Sequence, residues 1–293
     1  MSEKNCHFIS SRGILHSCDI KSDIPVSSIR QLYQYDWTNL HEGCTVYICN
    51  SAIPAFSLII DQLPCRIILV SGDADECCPM ELFSTEFEFK LFIENEKIIH
   101  WFSQNLIISH AKMTKMPIGL DYHTMIISDV WGKSISPLEQ EKQLLNLRNS
   151  ALPFYERIPK IYSNFHFSIH TKFAKDRTDA ISQIPKNLIY YEPSRTERYE
   201  TWQNQSKYTF VASPHGNGLD CHRTWEALCL GCIVIVKRSS LDELYNGLPV
   251  LIVQEWSYIT EKILLETMVN YKKMQFNYKK LTLKYWKDKI KLL

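Results

Sequence analysis

Short apolar runs alternate with stretches of helical spacing along most of this chain. Cys65–Val70 (CRIILV) and Cys232–Val236 (CIVIV) are nearly continuous apolar runs, as expected of parallel strands buried on both faces. In the first half, His7–Ile9 predicts an opening strand, followed by the loop Ser10-Ser11-Arg12-Gly13. Thr45–Cys49 predicts a second strand, and Ser51–Leu63 a helix with Pro54 in its first turn. Cys65–Val70 then ends in Ser71-Gly72-Asp73-Ala74-Asp75. Lys97–Phe102 and a segment ending in Met116-Pro117-Ile118-Gly119 predict two further strands.

The pattern changes between Asp129 and Ile158. Ser134–Pro137 is turn-like, Leu138–Arg148 has the spacing of a polar amphipathic helix, and Pro153 and Pro159 punctuate the stretch after it. The alternation then restarts. Strands are expected at Lys160–Phe165, Asn187–Tyr191, Tyr208–Val211, Cys232–Val236 and Val250–Val253. Helices are expected at Asp176–Gln183, Cys221–Leu230 and around Leu241–Tyr245, with a long helix at the C-terminus. Two successive βαβ series predict an α/β protein of two Rossmann-like domains facing a cleft, an N-terminal one over 1–130 and a C-terminal one over 155–271. The length of 293 residues accommodates two such domains.

Composition changes this picture little. The chain is 45% hydrophobic, 22% charged and 12% aromatic, which is ordinary for a globular protein. A net charge of +1 gives no global field of the kind that marks a nucleic-acid binder, so no nucleic-acid partner is expected. No apolar run approaches the roughly 20 residues needed to span a bilayer, so no stable membrane insertion is expected either. The opening MSEKNCHFIS lacks the apolar core of a signal peptide. The ten cysteines then read as buried thiols, and the expected compartment is a reducing cytoplasm.

The chemistry concentrates in Ser213-Pro214-His215-Gly216-Asn217-Gly218-Leu219-Asp220, which follows a strand and opens a helix. Gly216 and Gly218 let backbone approach a ligand, Asp220 is the expected N-cap, and the helix start offers free N–H groups to a diphosphate. Arg223 in the first turn can add a bidentate phosphate contact, and Glu226 on the same face can accept from ribose hydroxyls. Gly231 would stop the helix before the buried strand. A lone G-x-G more often makes a plain turn, but here the glycines, cap, Arg and Glu come together between two apolar strands.

The run SPHGNGLDCHRTWEALCLGCIVIV resembles the donor-binding signature of exostosin-like glycosyltransferases: strand, Gly-containing loop, R-x-x-E-A-L helix and G-C-hydrophobic strand. It is most similar to short enzymes of this family encoded by large DNA viruses of algae and protists, one of them a xylosyltransferase. The resemblance covers Tyr208–Thr260. It implies a GT-B fold with the terminal helix, 272–293, crossing back to the N-domain, and a nucleotide-diphosphate sugar donor. A UDP-sugar, UDP-xylose first among them, and a glycan acceptor follow by the same analogy, as does metal-independent chemistry with no cofactor. Arg223 would then stabilise the departing diphosphate and Glu226 hold the ribose; a viral origin would place the protein in the host cytoplasm.

Inverting transfer needs a base for the acceptor hydroxyl, expected on an N-domain loop facing the nucleotide. Asp73, just past the buried strand, is the expected base, with Asp75 and Asp121 in reserve; all three also read as turn formers or caps. Asp73-Ala74-Asp75 also matches D-x-D, which would hold a divalent cation on the diphosphate in a metal-dependent transferase. A third reading keeps the fold and loses the base, leaving a nucleotide- or glycan-binding module. Lys172, Arg177 and Arg195 follow strands and are candidate phosphate contacts. Arg12 is a candidate for acceptor or diphosphate, and Ser213, His215 and Asn217 complete the donor loop. Cys221, His222, Cys229 and Cys232 tempt a zinc reading, but C-x2-C across a helix end and a buried strand, with no second pair, reads as buried thiols. The tail Tyr271–Leu293 carries eight lysines, which read as the outer face of an amphipathic helix more readily than as a membrane or nucleic-acid surface.

Overall fold

The apolar runs pair as strands in two separate parallel sheets. In the computed structural model, which describes residues 2–292, β1 (Cys44–Cys49), β2 (Ile67–Gly72), β3 (Ile98–Ser103) and β4 (Met113–Lys115) form a four-stranded sheet in that order. Met1 and Leu293, the ends of the expected N-domain and returning segment, lie outside the described residues. Every residue of β1 and β2 is buried, so both faces are covered, which is why CRIILV carries no alternation. The second sheet orders β5 (Ile158–Ser163), β6 (Ile189–Tyr191), β7 (Tyr208–Ala212), β8 (Ile233–Lys237) and β9 (Val250–Val253) as β6-β5-β7-β8-β9, all parallel. Chain progression reverses between β5 and β7. That is a topological switch point, where ligands of such sheets bind beyond the carboxyl ends of the strands.

The helices are α1 (Ser11–Leu15), α2 (Ile53–Ser57), α3 (Glu86–Ile93), α4 (Thr124–Ile127), α5 (Pro137–Ser150), α6 (Ala174–Gln183), α7 (Arg198–Gln205), α8 (His222–Cys229), α9 (Glu261–Lys272) and α10 (Leu283–Lys291). α5 starts on a full capping box between Ser136 and Glu139, with Pro137 in its first turn, so this expected helix begins where its cap dictates. Its Glu141 accepts from the backbone N–H groups of His7 and Phe8 at 2.8 Å. Its Arg148 donates to the carbonyls of Leu228 and Cys229 at the end of α8. The connecting helix is therefore bound to both domains. One apolar core also crosses the seam, running from Val70 and Phe102 through Trp225 and Leu228 to Trp286.

The returning segment packs on the first domain. Leu283 N donates to His7 O and Ile9 N to Leu281 O, both at 2.9 Å, and Ile290 of α10 lines a crevice with Ile14 and Cys18 around α1. Two parallel α/β units with a helix crossing back is the GT-B layout implied by the resemblance. No helix among the described residues is long and apolar enough to cross a membrane. All ten cysteines are free thiols, eight buried and Cys65 and Cys221 half-buried.

Several local expectations are corrected. Phe8 makes an isolated bridge to Thr282 and Ser10 makes isolated bridges to Gly119 and Leu120, so His7–Ile9 opens no sheet. Ser10–Gly13 is no loop: Ser10 Oγ accepts from Gly13 N at 3.1 Å and caps α1. Ser51–Leu63 breaks into short helical turns around α2. The tail is two helices, because the chain turns at Lys273–Thr282, where Asn277 N is taken by Gly247 O at 2.7 Å. The helices α3 and α7 fall in stretches for which no element was expected.

Candidate functional site

A cleft of about 470 Å³ opens beyond the carboxyl ends of β5 and β7, at the switch point. Its C-domain wall comes from three loops, after β5 (Asn164–Thr171), after β6 (Glu192–Thr196) and after β7 (Gly216–Cys221), and from the first turns of α8. Asp75, Ile118, Val130 and Trp131 close it from the other side.

Four arginines line it, Arg177, Arg195, Arg198 and Arg223. Arg223 is the second residue of α8. Its Nε donates to Asn164 Oδ1 at 2.9 Å, while its Nη1 is buried with no hydrogen-bond partner. Burial pulls its pKa down from the usual value, and neighbouring Arg177 adds to this against the pull of Cys221 and Glu226. Arg177 in α6 is fixed by its Nε to His215 O at 2.8 Å and by a second bond to Ser168 O. Arg195 lies over the Phe167 ring, 5.5 Å from its centroid, and donates to Phe167 O. Thr171 Oγ1 and Gln205 Oε1, on the same lining, are also buried without partners. Each such orphan costs roughly 1–3 kcal/mol unless something binds it. The cationic nitrogen and the hydroxyl together offer donors of the kind an anion accepts from.

The glycines are explained by contacts. A Cβ on Gly216 would sit 2.8 Å from Arg177 Nη2, so only glycine lets that guanidinium close on the loop. A Cβ on Gly218 would meet Asn105 Nδ2 at 3.0 Å and Asp75 Oδ1 at 3.2 Å, which is where the N-domain reaches the loop.

Asp220 departs from expectation. Cys221 is the N-cap residue of α8, and Asp220 instead ties the domains together. Its carboxylate accepts from Ile118 N at 2.8 Å and from Cys221 N and Trp225 Nε1 at 2.9 Å, while its own N–H donates to Asn105 Oδ1 at 2.9 Å. Burial pushes its pKa up to about 6 against these bonds. His222 adds a third tie, with Nδ1 2.7 Å from Gly119 O.

Of the residues singled out in the sequence, Gly216, Asn217, Gly218, Asp220, Arg223 and Glu226 line the cleft, as do Arg177, Arg195, Asp75, Cys221 and His222. The rest lie elsewhere. Ser213 bonds Thr224 within the core at 2.8 Å, and His215 Nδ1 bonds Leu219 O at 2.7 Å, so both shape the loop from behind. Lys172 pairs with Glu81 of the N-domain. Asp73 is buried off the cleft, accepting from Ser27 Oγ at 2.8 Å and facing Arg12 at 3.5 Å, so Arg12 is occupied there too. Burial raises the Asp73 pKa, partly offset by Arg12 and Ser27. Asp121 caps Thr124 through its N–H and hydroxyl, also away from the cleft. Burial works to raise the Asp121 pKa, but His222, His123 and Arg198 outweigh it and hold the group at about 2. Because Asp73 and Asp75 keep separate surroundings, they do not form a chelate, and no group of three or more His, Cys, Asp or Glu among the described residues is placed to hold a metal.

Glu226 is ion-paired with Arg198 of α7, whose guanidinium also donates to Asp121 O and Gln140 and lies between the rings of Trp131 and Trp202. Arg198 was illegible because α7 itself was not expected. Asn164 directly follows β5, a position hidden by the expectation of a strand running to Phe165.

No family model matches the sequence, and no curated protein matches it. Among solved structures, a crystal structure of an α1,3-fucosyltransferase with GDP aligns over 97% of this chain and 95% of its own, at 10% identity and a TM-score of 0.37. A likeness this low assigns nothing to the site, whose geometry has to be weighed by itself.

Proposed function

We propose that this chain is a glycosyltransferase that moves a sugar from a nucleotide-diphosphate donor to a hydroxyl of a glycan acceptor. The observation that carries the reading is the buried, unpartnered Nη1 of Arg223 beside Arg177, at the switch point of the second sheet. A diphosphate seated there would accept from both guanidinium groups and from Thr171 Oγ1. As the anomeric C–O bond breaks, negative charge gathers on the leaving diphosphate oxygen, where fixed cations stabilise it most. With cationic side chains in that place, we propose chemistry that needs no metal and no cofactor. Glu226, held by Arg198, keeps an oxygen for ribose hydroxyls.

The donor we favour is a UDP-sugar, with UDP-xylose as first choice from the resemblance of the Tyr208–Thr260 segment, and transfer with inversion. Calorimetric titration with UDP, GDP and inorganic phosphate, with and without EDTA, tests the reading. Binding of a nucleoside diphosphate that survives EDTA is the expected result. A protein that binds neither UDP nor GDP would sink the proposal, and binding restored only by Mn²⁺ would replace the metal-free chemistry.

A further inference from the structure

An attacking hydroxyl must lose its proton, and the residue expected to take it, Asp73, has its carboxylate turned to Ser27 and Arg12 behind the cleft wall. The cleft lining nevertheless contains a histidine whose tautomer is set by its surroundings. His222 is the first residue of α8 and stands next to Arg223 in the chain. Its Nδ1 lies 2.7 Å from Gly119 O. A carbonyl oxygen only accepts, so Nδ1 carries the hydrogen, and the neutral ring presents a lone pair at Nε2. The ring is thereby anchored to the N-domain while its helix belongs to the C-domain, so it spans the junction where donor and acceptor would meet.

We propose that His222 is the general base, taking the acceptor's proton on Nε2. This rests on the transferase reading above. The balance of the step is complete: the acceptor oxygen forms a bond to the anomeric carbon, and the bond from that carbon to the diphosphate oxygen breaks. The electron pair leaves on the diphosphate, where Arg223 and Arg177 face it, and the hydroxyl proton passes to Nε2. The imidazolium so formed is surrounded by compensating charge. Asp73, Asp75 and Asp121 act on it from N-domain loops and Asp220 from its own, with His123 as the other titratable neighbour. Of these carboxylates only Asp75 and Asp220 reach the cleft lining, and Asp220 is committed to three N–H donors. Asp75 is the rival. It approaches the glycine loop at Gly218, four residues before His222, whereas His222 adjoins the arginine that holds the leaving group.

The test compares His222→Asn, His222→Ala and Asp75→Asn with the unaltered protein. Asparagine retains a donor for Gly119 O and offers no base, so the fold should persist, and melting curves check this. The readouts are UDP and GDP binding by calorimetry, and release of UDP or GDP from a panel of UDP- and GDP-linked sugars with water or free sugars as acceptor. His222→Asn is expected to bind the nucleotide within about threefold of the parent and to release it at least ~100-fold more slowly. Added imidazole should restore part of the rate to His222→Ala and none to Asp75→Asn. Unchanged turnover in His222→Asn, or a larger loss in Asp75→Asn, overturns the assignment while leaving the transferase reading intact. If the unaltered protein binds neither UDP nor GDP, the reading and the inference fall together.

Discussion

The seam between the domains holds two hollows lined with positive charge, and they treat that charge in opposite ways. In the cleft at the switch point, Arg223 is held through Nε by Asn164 while its Nη1 is buried and bonded to nothing. A second hollow of about 310 Å³, between the β3–β4 loop, the turn at Asp242–Tyr245 and α10, is lined by Lys115, Lys280 and Lys289. There the ammonium groups are already used. Lys115 donates to Ile108 O and pairs with Glu243 at 3.2 Å, and Lys280 donates to Leu244 O at 2.7 Å and Asn246 O at 2.9 Å. Lys289 lies over the Trp286 ring, 5.2 Å from its centroid. Both are lined by cations; what distinguishes them is whether the donors still lack acceptors. The first hollow keeps an unmet donor, and the second fastens the C-domain and the returning helix to the N-domain.

The sharpest way to break this contrast is to exchange a cation in each hollow for methionine. Arg223→Met should weaken UDP or GDP binding about 100-fold or more while leaving the apo protein about as stable as before, since it removes a buried charge that forms no ion pair and holds only the Nε bond to Asn164. Lys280→Met should leave nucleotide binding within about twofold. Calorimetry and thermal unfolding on the two variants decide it. An Arg223→Met protein that still binds nucleotide but melts early would make Arg223 the rivet.

Asp220 tests how far the cleft depends on the seam. Asp220→Ala strands three N–H donors, of Ile118, Cys221 and Trp225, in a buried place, and should cost about 2–4 kcal/mol in chemical denaturation. A loss below ~1 kcal/mol would mean that the loop holds its position without the N-domain. Gly216→Ala is milder. Its Cβ would displace Arg177 Nη2 from 2.8 Å, and a loss of about three- to tenfold in nucleoside-diphosphate affinity, with little change in melting temperature, is expected. Full affinity there would show that Arg177 does not face the ligand.

These residues also show which parts of the fold and site were legible in the sequence. The strands were readable because burial on both faces removes alternation, so CIVIV and CRIILV could be little else, and two βαβ series imply two sheets. The glycine loop and the helix it opens were readable because glycine, helix start and arginine lie within a dozen residues. Asp220 was misread because an aspartate ahead of a helix looks like a cap; only the folded chain brings Ile118 N, 102 positions away, to its carboxylate. Asp73 was chosen from its position past a strand, but side-chain direction turns it to Ser27, 46 positions away. His222 stood in plain view inside the motif. Its meaning lies in Gly119 O, 103 positions distant, which no local pattern encodes. What the sequence conceals is long-range pairing, across the seam for Asp220 and His222 and within the N-domain for Asp73.

The smallest effect expected concerns the riveted hollow and can be read from pH alone. Burial, and then Lys289, push the Lys280 pKa down to about 8, with Glu243 opposing; an unfolded lysine titrates near 10.4. Below pH 8 both states carry the charge, and the folded one bears its desolvation. Between about 8 and 10.4 the unfolded state binds the extra proton, so this residue's contribution to stability rises with pH across that window. The neutral amine still has two hydrogens for Leu244 O and Asn246 O, so deprotonation loses neither bond. Stability of the parent relative to Lys280→Met should therefore improve from pH 7.5 to 9.5 by a modest margin, because the site is partly open to solvent. Titrations common to both proteins cancel in that difference, except for Lys289, Glu243 and Lys115, which face the same hollow. A difference that stays flat or declines would mean that the Lys280 charge is compensated where it lies. The second hollow would then hold its cations at no electrostatic cost, and unmet donors in the first would be the whole of the contrast.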